Sequence, residues 1–267
     1  MTCSWSRPND PAMTLAACAD IVAKGDPDRF RAVMSVPLAA RERLLPLYAF
    51  NVEVARAPWV TEEPLIAEMR LQWWRDALDE IAQGGTVRRH EVVDPLAELV
   101  RGVGVPVAVL NDMIDARRWD IARDAFADWS AFDAHIDATS GGLLWAGATA
   151  LGTPDYLEAP CRDAGFAIGV ANWLVAVPAL EAHGRLPLPD GRPEAVREQA
   201  KRGLVRLRTA RGVDFGAAVP ALRAGWQTAA ILRRAERDPA AVVEGRLVPG
   251  PIRKSTSLLV KTMTGGW

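Results

Sequence analysis

Apolar residues recur at three- and four-residue spacings along almost the whole chain, and no stretch of useful length alternates apolar with polar. The pattern predicts helix after helix and no sheet. It is clearest between Leu44 and Leu78, where Leu44, Leu47, Tyr48, Val52 and Ala55 fall on one helical stripe and Ile66, Met69, Trp73 and Ala77 on the next. Pro58 disfavours helical geometry at Ala57 and so ends the first helix. Thr61 is expected to cap the second, with Glu62, Glu63 and Pro64 in its opening turn, residue types that suit the positive end of a helix. Core packing is expected for Trp73, Trp145 and Trp173, which leaves Trp74 pointing sideways toward a cavity or a partner helix. Trp59, in the turn, is the candidate for an exposed contact.

The remaining elements follow from periodicity and caps. A first helix covers Ala12–Val22 and stops at Gly25, and Asp26-Pro27 opens a short one through Phe30, Val33 and Met34. Pro37 starts the helix that carries Leu44–Ala57, with a kink expected at Pro46. The helix from Pro64 ends near Ala82, a loop covers Gly84 to His90, and Asp94-Pro95 repeats the cap signal. Helices are then predicted over Pro106–Asp124, from Asp128 or Ser130 to Leu151, over Asp163–Ala182, from Pro193 to Arg211, over Val213–Arg237 and over Pro249–Thr264. Gly141-Gly142 interrupts the second of these and is expected to allow close helix packing. No repeat or linker divides the chain, so residues 1–267 are read as one all-α domain.

Composition narrows the function. A chain of 267 residues, 49% hydrophobic and 24% charged, has the make-up of a soluble globular protein. Its net charge of -1 argues against a nucleic-acid partner, which selects for a basic excess. Cys3, Cys18 and Cys161 are odd in number and far apart, which fits a reducing compartment better than a disulfide framework or a zinc site. Met1–Asp10 has no signal-peptide core, so a cytoplasmic location is expected. The longest uncharged run, Ala164–Leu180, is shorter than the roughly 20 residues of a membrane span and reads as a buried helix.

Two motifs carry a resemblance. Leu47-Tyr48-Ala49-Phe50 followed by Gln72-Trp73-Trp74-Arg75 resembles the squalene/phytoene synthase family, all-helical enzymes that join two prenyl diphosphates head to head. The second family motif is matched without a gap from Gly165 to Pro189, with Asn172, Gly184, Arg185 and Leu188 in place. In that family aspartates on consecutive helical turns hold Mg²⁺, which holds the diphosphate. Here the first cluster reads Ala55, Arg56 and Trp59, the second reads Ala176 and Leu180, and Gly169 stands where the family has Gln. Ala49-Phe50-Asn51-Val52-Glu53 and Met69 to Arg75 are similar to the non-catalytic branch that contains the mitochondrial complex I assembly factor.

The resemblance, clearest over residues 26–189, implies a prenyl-synthase-type bundle around a central cavity. Helices Leu44–Ala57, Pro64–Ala82, Pro106–Arg123, Ser130–Leu151 and Asp163–Ala182 would surround it, and helices within 193–264 would complete the same domain. It implies a pseudoenzyme with no metal, an assembly or chaperone factor whose partner is a complex I subunit or intermediate. The alternatives are an active synthase that recruits Mg²⁺ through Glu53 or Asp120, and a carrier of a prenyl or lipid chain.

The candidate pocket comprises Tyr48, Asn51, Glu53, Arg56, Arg70, Trp74, Asn172 and Arg185. Arg56, with Arg185 and Arg70, could receive a phosphate or a partner's carboxylate without metal, although an intrahelical pair with Glu53 is the ordinary role for that spacing. Asp112, Asp115 and Asp120 are a second metal candidate, set against compensation by Arg117, Arg118 and Arg123 on a solvated face. Glu68 is expected to pair with Arg75 or Gln72. The basic helix from Arg197 to Arg211 reads as a solvated face or as a peripheral contact at the inner face of an anionic membrane. His90, His135 and His183 lack metal-ligand spacing.

Overall fold

The computed structural model describes residues 11–267, with side chains from Thr14 onward; Cys3 and the reading of Met1–Asp10 fall outside them. The described residues form helices α1 (Pro11–Gly25), α2 (Pro27–Met34), α3 (Leu38–Arg56), α4 (Pro64–Ala82), α5 (Val93–Val103), α6 (Val107–Ala116), α7 (Arg118–Ala122), α8 (Trp129–Ile136), α9 (Gly142–Ala150), α10 (Glu158–Ala182), α11 (Pro193–Arg211), α12 (Val219–Leu222), α13 (Thr228–Arg237), α14 (Ala240–Val243) and α15 (Pro251–Thr264), with no strand among them. Two caps form, one at Asp26 as expected and one at Asp128, the first of the two alternatives Asp128 and Ser130. The Asp26 carboxylate accepts the Arg29 N–H at 2.9 Å and Asp128 accepts that of Ala131 at 2.8 Å.

Two buried clusters hold the bundle. Around α3, Leu44, Leu47, Phe50, Leu71 and Leu78 are fully enclosed, and around α10, Phe132, Phe166, Leu174 and Leu232 are. Each such side chain contributes roughly 1.5–3 kcal/mol by leaving water. α3 packs on α1, α5, α6 and α9, while α10 packs on α8, α9, α11 and α13. The first half of the uncharged run lies inside the bundle, with Ala164 to Ala171 all buried, while Asn172 and Ala179 in its second half are exposed. Cys18 and Cys161 are buried free thiols.

Several boundaries differ from expectation. Glu63, not Thr61, precedes α4 and Pro64 is its first residue; the Thr61 hydroxyl instead accepts the Glu63 N–H at 3.2 Å and shapes the turn. α4 also buries a different face. Ala67, Leu71, Trp74, Leu78 and Ile81 line the core, whereas Ile66 is 45% and Met69 63% exposed. Two overlapping stripes exist in that sequence, and the core takes the one that runs to Ile81. Trp74 consequently packs edge-on against Phe50 at 5.4 Å, and Trp73 is the half-buried one, the reverse of the prediction.

The long helix expected over Pro106–Asp124 breaks at Arg117, and α7 ends on Arg123 in the left-handed region at φ 63. α8 and α9 are not interrupted at the glycines: a π-helical turn, Asp137–Gly141, joins them. Such a turn inserts a residue into the helix and bulges its wall. The span Val213–Arg237 is a series of short helical turns before α13, and α10 begins five residues early, at Glu158.

Candidate functional site

A half-open cavity lies between α2, the end of α3, the α6–α7 break, the π turn and α10. It measures about 320 Å³ and is lined by Arg29, Asn51, Ala55, Trp59, Arg117, Asp120, Ile136, Thr139, Ser140, Leu143, Gly169, Asn172, Trp173, Ala176 and Leu180. Four of the five positions read as replaced aspartates, Ala55, Trp59, Ala176 and Leu180, thus face one space. Asn51 and Asn172 join them, and Asn172 is exposed at the rim.

The other predicted pocket residues lie elsewhere. Glu53, Arg56, Arg70 and Trp74 border an outer pocket of about 470 Å³ together with Ile66, Met69, Trp73 and His90. Arg56 bonds Glu53 at 3.1 Å, the ordinary intrahelical pair, and shares that pocket with Arg70 but not with Arg185. Tyr48 is buried under the Arg29 guanidinium at 5.2 Å and lines neither space. Arg185 is 5% exposed, donates to the Asp120 carbonyl and stacks over Trp59 at 4.9 Å. The proposed trio Arg56, Arg70 and Arg185 is therefore split: Arg56 and Arg70 border the outer pocket, while Arg185 lines neither space and stacks on Trp59.

The acidic α6–α7 tail also divides. Asp115 pairs with Arg75 and Arg118 on the outside, and Glu68 reaches Arg118 at 2.6 Å rather than Arg75 or Gln72. Asp120 turns inward and is 4% exposed, with Arg117 at 3.9 Å. It does not lie on a solvated face. Burial raises its pKa, against the opposing pull of Arg117, Arg185 and the Trp59 N–H. Burial pushes His135, which lies among Trp119, Phe126 and Trp173, down to about 3, with the Arg117 charge adding to it.

Arg29 and Arg117, the cations that do enter the cavity, carried no functional expectation. Their signal was present but indirect: the Asp26 cap fixes where Arg29 sits, and Arg117 with Asp120 forms an i, i+3 pair on the helix face opposite Asp115 and Arg118.

A divalent cation such as Mg²⁺ needs several oxygen ligands. Asp120 is the carboxylate among the cavity's lining residues, it is already neighboured by two arginines, and Arg29 and Arg117 would repel a metal. The donor set does not fit Mg²⁺. Among the described residues no three His, Cys, Asp or Glu side chains gather as a metal-binding group.

An all-helical bundle closed around a cavity between these helices has the isoprenoid synthase fold. It superposes on a dehydrosqualene synthase with a TM-score of 0.68 at 14% identity, over 96% of this chain and 99% of that one. Squalene synthase HpnC from Alicyclobacillus acidocaldarius gives 0.59 at 18%, over 97% of each chain. The chain belongs to the squalene/phytoene synthase family, whose sequence pattern matches residues 22–191. It is similar to complex I assembly factor 6 of Bos taurus, 25% identical over 173 residues, 64% of this chain and 52% of that protein. The human protein of that name is 22% identical over the same lengths, and the Drosophila melanogaster homolog 35% over 89 residues, 33% of this chain and 27% of that one. The chain spans about half the length of the mammalian relatives.

Proposed function

We propose that this chain is a non-catalytic member of the family that serves as an assembly or chaperone factor for respiratory complex I. The observation that carries the reading is the cavity wall. Where the enzymes need metal-binding carboxylates, Ala55, Trp59, Ala176 and Leu180 face two arginines. Resemblance to complex I assembly factor 6 supplies the role. A scaffold needs an outward surface, and Val60, Leu65, Ile66 and Met69 offer one, from 43% to 72% exposed, beside the outer pocket. The active-synthase alternative is disfavoured because Glu53 is bonded to Arg56 and does not line the cavity that holds Asp120, and among the described residues no three His, Cys, Asp or Glu side chains gather as a metal-binding group.

A peripheral place on an anionic membrane, at its inner face, belongs to the same proposal. The expected basic helix supports it only in part, because Arg202 and Arg206 of α11 are paired with Asp133 and Asp163, and Arg197 donates to the Glu236 backbone carbonyl. The freer charge lies next to it. Arg233, Arg234, Arg237 and Arg253 line a groove of about 910 Å³ between α13 and α15. No residue of α15 is buried, and Ile252 and Met263 are about four-fifths exposed, at 80% and 78%. Apolar residues set among basic ones on an exposed helix suit a lipid surface.

Turnover with Mg²⁺, NADPH and farnesyl or geranylgeranyl diphosphate, run beside an active family member, tests the first part. No product is expected; product formation overturns the reading. A deletion strain should then show less assembled complex I, restored by the gene, and unchanged complex I would overturn the role.

A further inference from the structure

The outer pocket is built on the apolar stripe of α4 that the core does not take. Ile66, Met69, Arg70 and Trp73 stand three and four residues apart and so share one helix face, over two turns or about 10 Å. That face stays open to solvent at Ile66, Met69 and Arg70, and exposed Val60 and Leu65 extend its apolar surface. Trp74, which is buried, and the half-buried Trp73 and His90 line the same space. Its polar atoms are mostly donors. The Arg70 guanidinium and the indole N–H groups of Trp73 and Trp74 have no hydrogen-bond acceptor among the described residues. His90 Nδ1 accepts the Val92 N–H at 3.2 Å, which places the proton of the neutral ring on Nε2 as a further donor. Glu53 is the carboxylate among the lining residues, and Arg56 engages it at 3.1 Å. A pocket with spare donors and a cation without an ion-pair partner is complementary to a carboxylate. Of the residues similar to the assembly-factor branch, Glu53, Met69, Arg70, Trp73 and Trp74 line this pocket, whereas Asn51 lines the cavity.

We propose that the outer pocket docks an amphipathic helix of a partner protein, its apolar stripe laid along Ile66, Met69 and Trp73 and an acidic side chain of that helix received by Arg70. Anchors spaced at i, i+3, i+4 and i+7 on α4 match the repeat of an apolar stripe on a second helix, which a compact small molecule does not reproduce. Tryptophan and arginine at the centre of such a contact are the residue types that carry most of the binding energy in protein interfaces. The site rests on the scaffold reading of the proposed function and gives that scaffold a docking face and a partner of stated chemistry.

Site-directed crosslinking of the full chain in its native cells tests it. A photoreactive benzophenone side chain is placed at Met69, and as control at Tyr156, which is exposed and far outside the lining of the pocket. The label at Met69 should crosslink one protein segment that has apolar residues at three- and four-residue spacing and an aspartate or glutamate among them; the label at Tyr156 should not. Arg70→Glu should lower the crosslinking yield about tenfold or more, and changing the partner's acidic residue to lysine should restore it in that background. Met69 and Arg70 are exposed, so the variants should keep their fold, which thermal melts confirm. No crosslink, a crosslink to lipid, to a second copy of this chain or to a segment without an acidic residue, an unchanged yield in Arg70→Glu, or no restoration by the lysine overturns the site. A crosslinked helix with these features in a protein unrelated to complex I keeps the site and sinks the assembly role. Full repair of the deletion strain by both Met69→Glu and Arg70→Glu keeps the role and sinks the site.

Discussion

His135 illustrates how a residue with no functional motif still governs behaviour. It is 7% exposed in a nest of aromatic rings, where a proton on the imidazole is disfavoured by burial and by Arg117. Its pKa falls from the ordinary histidine value of 6.5 to about 3, so the unfolded chain binds a proton that the fold refuses between those values. Stability is therefore fully present above about pH 6.5 and is lost as the pH falls toward 3. Between pH 7 and pH 5 the loss should be about 2 kcal/mol, at about 1.4 kcal/mol per pH unit once below the unfolded pKa. Asp120, with a raised pKa, acts in the opposite sense, losing stability as pH rises from its unfolded value toward its folded one. Comparing thermal melts of the native chain with His135→Phe at pH 5 and pH 7 isolates the histidine: the variant should lose about 2 kcal/mol less across that interval. An identical pH dependence in the two proteins would mean that His135 is protonated in the fold.

Among the elements, the crossing of α10 with the π turn fixes the cavity's shape. A methyl group on Gly165 would lie 2.7 Å from Gly141 Cα and 2.9 Å from the Ser140 carbonyl, contacts with backbone that no side-chain rotation relieves. Gly165→Ala should destabilise the fold by about 1–3 kcal/mol through overpacking, read as a lower denaturation midpoint with the slope unchanged. A neutral result would show that the two segments separate easily. Gly169 belongs to the same crossing, since a Cβ there would meet Ile136 Cγ2 at 2.6 Å and Ser140 Cβ at 2.7 Å. The space that a glutamine would use at this position is occupied by the bulged wall. Putting the glutamine back therefore requires changes at Ile136 and Ser140 too.

At the scale of the molecule, a net charge of -1 conceals an uneven distribution. Arg233, Arg234, Arg237 and Arg253 gather along the groove between α13 and α15, and Ile252, Leu259 and Met263 of α15 are exposed. Vesicles containing phosphatidylserine should co-sediment the chain, and neutral phosphatidylcholine vesicles should not. Raised salt should weaken the binding, because surface charge is screened over a Debye length of about 8 Å at physiological ionic strength. Each basic residue near an anionic surface adds about 1 kcal/mol, so Arg234→Gln with Arg253→Gln should lower partitioning about thirtyfold. Binding that is indifferent to lipid charge would remove the membrane from the proposal.

The all-helical class, the caps at Asp26 and Asp128, the family and the ends of α11 were legible in the sequence because each depends on a neighbourhood of a few residues, periodicity and turn chemistry acting locally. The gathering of Ala55, Trp59, Ala176 and Leu180 around one space was implied by the family resemblance of the two motifs rather than by local pattern. Which stripe of α4 faces inward was not, because two stripes overlap there and only the packing of Phe50 against Trp74 chooses between them. The break at Arg117 was hidden for a related reason. A tail rich in both charges reads as a solvated helix, yet in the fold Asp120 and Arg117 turn inward while Asp115 and Arg118 satisfy each other outside. Sequence alone determined that the backbone is helical and where the capped helices begin; the tertiary structure decided where the longer predicted helices break and which charges lose their water, since desolvation depends on what the rest of the chain brings over them.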